Sequence, residues 1–121
     1  MAPGKTGEYS LKSTSITVSP GPAGSTLSQV NFEGTATGFG AVLGTAIFVG
    51  DKSGTYSWCA QAYLDSGETL SGNGPGTFES TARHKWRTRG IVTLSDGRAL
   101  NTEGDIDLAT RSWTGVLSER S

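Results

Sequence analysis

The chain has 121 residues, of which 34% are hydrophobic, 17% are charged and 18 are glycine. Its length fits one domain, spanning residues 1–121, with a core that needs no covalent staple. A formal net charge of −1 excludes a general pull toward nucleic acid or an anionic membrane surface, and the single cysteine, Cys59, excludes an intrachain disulfide.

Residues 1–7 are small and polar and are expected to fray. Met1 to Ser10 lacks the apolar stretch of a signal peptide, and no apolar run approaches the ~20 residues of a membrane-spanning helix. With the free thiol, this points to the cytoplasm. Glu8 to Ser19 reads as a first strand carrying Leu11, Ile16 and Val18. The Pro-Gly-Pro loop of residues 19–24 ends it. Thr26 to Thr37 and Ala41 to Val49 form two more strands, bent into one another at Gly38-Phe39-Gly40. A polar loop, Gly50 to Gly54, leads into a strand over Thr55 to Leu64. A short strand follows at Glu68 to Ser71, and Gly72 to Gly76 is expected to be irregular. Thr77 to Ala82, Arg83 to Leu94, Arg98 to Leu108 and Ser112 to Ser118 complete the set. Seven to nine short strands joined by tight turns predict an all-β fold, a small antiparallel meander barrel of about eight strands. A two-sheet sandwich is the rival.

The basic run Arg83-His84-Lys85-Trp86-Arg87-Thr88-Arg89 could serve nucleic acid, but strand register gives it another meaning. Alternate strand residues share a face. A three-residue loop at Ser95-Asp96-Gly97, with glycine in the left-handed position, pairs Leu94 with Arg98. Then Lys85, Arg87 and Arg89 meet Asp107, Asp105 and Glu103. On the other face Trp86 meets Ile106, Val92 meets Leu100, and His84 meets Leu108. A slip of one residue would set charges against apolar side chains, so this register is preferred. The basic residues then face acids of the next strand, and no nucleic-acid partner is expected. If that face lined the interior, the same ions would form a buried network. Leu64-Asp-Ser-Gly-Glu68 has the same spacing as Leu94-Ser-Asp-Gly-Arg98 and predicts the same turn.

Carried around a barrel, the apolar face collects Trp58, Trp86, Trp113, Phe32 and Phe78 as walls of an interior for a small hydrophobic or aromatic molecule. The sequence leaves open whether that interior is a cavity or a solid core. His84, the one histidine, and Tyr56 are the candidates for acid–base or polar contact with a substrate. Cys59, Glu33 and Glu79 fall on the outer parity. No cluster of metal ligands or phosphate loop is visible, so no metal or cofactor is expected. Outer apolar residues (Leu43, Ile47, Val49, Tyr63, Val116) point to a homo-oligomer.

The glycine-rich meander over residues 26–49, 55–70 and 77–117 resembles the small eight-stranded barrels of the allene oxide cyclase-like and dirigent-like group, and more distantly the lipocalins. The resemblance is one of architecture, without a diagnostic motif, so it carries over no catalytic residue. It implies an oligomeric barrel that holds a hydrophobic small molecule and sometimes steers its cyclisation or isomerisation without a cofactor. The alternative is a structural or interaction module with a filled core that assembles through its outer face.

Overall fold

Strands that alternate apolar and polar residues must bury one face, and a sheet closed on itself does so without leaving edges. The computed structural model, which describes residues 6–120, has that form. Eight strands run β1 (Thr6–Pro20), β2 (Thr26–Ala36), β3 (Gly40–Gly50), β4 (Ser53–Tyr63), β5 (Thr69–Ala82), β6 (Lys85–Leu94), β7 (Ala99–Asp107) and β8 (Ser112–Glu119). Each pairs antiparallel with the next, and β1 pairs with β8 to close the barrel. A single 3₁₀ turn, Pro22–Gly24, joins β1 to β2.

The β6–β7 register is the expected one. Lys85, Arg87 and Arg89 stand opposite Asp107, Asp105 and Glu103, and Trp86 stands opposite Ile106. The turn that sets it has the Leu94 amide donating to the Arg98 carbonyl at 2.8 Å and Gly97 at φ 95°. Leu64–Glu68 repeats this geometry, with the equivalent bond at 2.9 Å and Gly67 at φ 95°. The charged ladder faces water: Arg87 contacts Asp105 at 3.0 Å and Glu103 at 3.1 Å, both as exposed pairs. The buried network considered from sequence is therefore overturned, because the ladder lies on the outer parity of a barrel whose interior is apolar.

Four expectations are corrected. Gly72 to Gly76 is not irregular but runs through the middle of β5. Pairing to β4 continues through Pro75, whereas pairing to β6 lapses at Gly74 and Pro75 and resumes at Gly76. The missing proline donor falls where the ladder is already open. His84 is not on the apolar face. It lies in the β5–β6 turn, exposed, at φ 57°. The turn at Arg83-His84 delays the start of β6 to Lys85, and a bulge between Ser80 and Ala82 absorbs the extra residue. Leu108 likewise sits in the β7–β8 turn rather than in a strand. Finally, Thr6 and Gly7 pair with Ser118 and Leu117 instead of fraying; the rest of that expectation lies outside the described residues.

Many of the glycines act within strands and not at turns. Aromatic side chains inside the barrel pack directly against glycine backbone. A Cβ at Gly44 would sit 2.5 Å from the Trp58 ring, and one at Gly90 would sit 2.5 Å from the Tyr56 hydroxyl. At Gly76 it would collide with the Tyr56 ring, and at Gly104 with the Tyr9 hydroxyl. Overfilling a packed interior costs about 1–3 kcal/mol. Gly76→Ala should therefore lower the urea-unfolding free energy by about that amount, and the loss should shrink in a Tyr56→Leu background. Equal losses in both backgrounds would show that the ring does not set the constraint.

Candidate functional site

Trp113, on β8, is buried at the centre of the barrel. Around it stand Phe32 at 5.0 Å, Trp58 at 5.3 Å, Tyr56 at 5.5 Å, Phe48 at 5.9 Å and Tyr9 at 6.1 Å between ring centroids. The contacts to Tyr9, Tyr56 and Trp58 are edge-on, the arrangement that ring quadrupoles favour. The indole N–H donates to Thr88 Oγ1 at 3.0 Å, and the Thr88 hydroxyl donates to the Gly104 carbonyl at 3.3 Å. Thr88 is only 1% exposed, so this relay satisfies the indole and the threonine in a place where water is excluded.

This aromatic layer divides the lumen. One end, which we term narrow, holds the β2–β3, β4–β5 and β6–β7 turns. Its chamber is about 90 Å³ and is lined by Tyr56, Trp58, Val42, Leu70, Val92 and Thr102, among others. Phe39 folds in from the β2–β3 turn and is buried, with the Arg98 guanidinium 5.4 Å from its ring centroid. The opposite end is wide. Its mouth encloses about 420 Å³ between Phe32, Phe48, Phe78, Trp86, Val30 and Ile106, with Ile16, Val18 and Leu108 at the lip and Asp51, Asp107 and Arg111 on the rim. Phe48 and Phe78 pack edge-on at 5.6 Å. The Trp86 indole N–H already donates to the Asp51 carbonyl at 3.2 Å.

The five expected wall residues all face inward, but two different compartments receive them. Phe32, Phe78 and Trp86 line the wide mouth; Trp58 and Trp113 line the narrow chamber. Tyr56 and His84 are not brought together. Tyr56 is buried beside the narrow chamber, and His84 is exposed on a turn at the wide end. Cys59 is exposed, as are Glu33 and Glu79. Sequence reading missed Tyr9 and Phe39. Tyr9 was marked by its parity with Leu11; Phe39 by being an aromatic between two glycines that need positive φ, 81° at Gly38 and 70° at Gly40.

No protein-family model matches the chain, and comparisons with curated proteins and with solved structures find no match. The likeness to small eight-stranded barrels is one of architecture.

Burial pushes both interior phenols above the ordinary tyrosine value of 10.0. They stay protonated and can donate a hydrogen bond but cannot serve as bases. The Tyr9 hydroxyl is buried without a hydrogen-bond partner among the described residues. Removing it abandons no bond and relieves a desolvated polar group. Tyr9→Phe should be as stable as the parent protein or more so at neutral pH, by chemical denaturation. Below pH 10 the phenols are protonated in folded and unfolded chains alike and contribute no slope. Above about pH 10 the unfolded chain releases its protons first, so stability should fall with rising pH. In Tyr9→Phe that alkaline fall should be shallower; an unchanged slope would contradict the burial of this hydroxyl.

Proposed function

We propose that this barrel binds a small, flat, apolar or aromatic molecule in its wide mouth. The observation that carries the reading is a cavity of about 420 Å³ walled by aromatic rings and opening to water. That volume lies within the ~300–1,000 Å³ usual for small-molecule sites. Val18, at the lip, is 63% exposed, and a bound apolar body would cover it. The Trp86 N–H is already used by the Asp51 carbonyl, so the mouth offers hydrophobic contact rather than a donor from its wall. A polar end of the ligand would face the rim, where Asp107 and Arg111 stand.

Conversion of that ligand, as in the cofactor-free isomerases and cyclases that the architecture resembles, would have to come from shape. His84 lies outside the lumen and Tyr56, a member of the aromatic layer, lines the narrow chamber rather than the wide mouth, so neither is placed to move a proton there. Holding a flexible substrate in one reactive conformation is the contribution such a wall can make. The second reading, an interaction module, is favoured by one observation: the centre of the barrel is filled by the rings packed on Trp113.

A naphthalene-based fluorescent probe tests the site. Trp86→Ala should weaken probe binding about fivefold or more, the loss of one aromatic wall contact, while Trp58→Ala should leave it nearly unchanged. Loss with Trp58→Ala alone would move the site to the narrow chamber. No probe binding to the parent protein would leave the module reading in its place.

A further inference from the structure

The seam that closes the barrel does not run its full height. β1 pairs with β8 only over Thr6–Lys12, and one further bond, from the Ser13 amide to the Arg111 carbonyl at 2.9 Å, ends the contact. Beyond it β1 continues to Pro20 paired to β2 alone. Thr14 to Pro20 is thus an exposed strand edge, with unpaired backbone groups on the side away from β2 among the described residues. A bulge between Ser13 and Ser15 reverses the parity of β1 at this point. After it Ile16 and Val18 share the inner face, 46% and 63% exposed, and Ser15, Thr17 and Ser19 the outer one.

Edges of this kind are usually protected by lysine or by brevity. This one carries no charged residue from Ser13 to Pro20 and is rich in β-branched side chains. We propose that it pairs antiparallel with the same edge of a second copy of the chain across a two-fold axis. The strand is complementary to itself. With Thr17 on the axis, Ile16 of one copy lies opposite Val18 of the other, and Val18 opposite Ile16, all four on one face. Ser15 lies opposite Ser19 and Thr17 opposite Thr17 on the other face. Apolar pairs and hydroxyl pairs are both favourable across strands, and like charges never meet. A slip of one residue would set Ile16 opposite Thr17 and break the match of faces, so the register is specified. Each copy offers the same patch, which closes the assembly at two and prevents a fibre. The surface is distinct from the outer apolar residues Leu43 and Tyr63, which sit on β3 and β4, and the pairing does not depend on a ligand.

The 121-residue chain should sediment as a dimer at micromolar concentration. Thr17→Lys places two ammonium groups at the axis and should weaken dimerisation about tenfold or more while leaving the circular dichroism unchanged. Leu43→Asp should leave the dimer intact. In a Cys59→Ser background, Thr17→Cys should form a disulfide-linked dimer on mild oxidation, because residues opposed on the axis are within bridging distance. A monomer at these concentrations overturns the proposal. So does a dimer that survives Thr17→Lys, or a Thr17→Cys protein that does not cross-link.

Discussion

An aromatic ring can lie against a barrel wall only where the wall has no side chain. That constraint organises this molecule. The rings of Tyr9, Tyr56 and Trp58 are seated on glycine backbone at positions where a single methyl group would collide. In turn they hold Trp113 at the centre. The abundance of glycine is therefore a packing requirement of the interior as much as a matter of turns. It also accounts for a modest hydrophobic fraction of 34%, since a few large rings fill a space that more numerous aliphatic side chains would otherwise occupy.

The same packing decides where chemistry can occur. A lumen filled at mid-height gives two compartments of unequal size, with the buried Phe39 in the lining of the smaller. Polar groups near the central layer are donors held protonated by burial, and the charges lie on the outer wall. For the binding proposed above, such a division suits shape and apolar contact in the wide mouth better than proton transfer. The outward ion ladder has a separate task. It opposes any slip of β6 against β7, which would turn Trp86 and Ile106 out of the core.

Fold class, strand number and the decisive hairpin register were legible in the sequence, because the Leu94–Arg98 turn fixes one pairing and the pairs that follow are arithmetic. The inward direction of Trp86 followed from it, that of Trp58 from the like turn at Leu64–Glu68, that of Trp113 from a tight turn at Ala109-Thr110, and those of Phe32 and Phe78 from parity. Three features resisted. Leu11 and Ile16 are five residues apart, an odd spacing that a regular strand cannot place on one face; the bulge at Ser13–Ser15 resolves it, and bulges have weak sequence signals. Gly72 to Gly76 looks like a loop by composition, yet neighbouring rings demand those glycines in a strand. His84 follows the alternation of Trp86 on paper, but the turn at Arg83-His84 takes it out of the strand. Local alternation cannot reveal a division of the lumen, because that depends on six rings from five strands meeting around Trp113.

Every neighbouring pair of strands but one is consecutive in the chain. The exception joins Thr6 to Ser118 and so closes a loop of nearly the whole polypeptide. Closing a flexible loop of that length costs roughly 4 kcal/mol of chain entropy. Seven strand pairings can form as local hairpins, so closure of the seam should be the late step in folding. The residues that meet there include Tyr9 and Trp113, edge-on at 6.1 Å. The side chains that fill the barrel's centre are thus also the ones that fasten its first strand to its last.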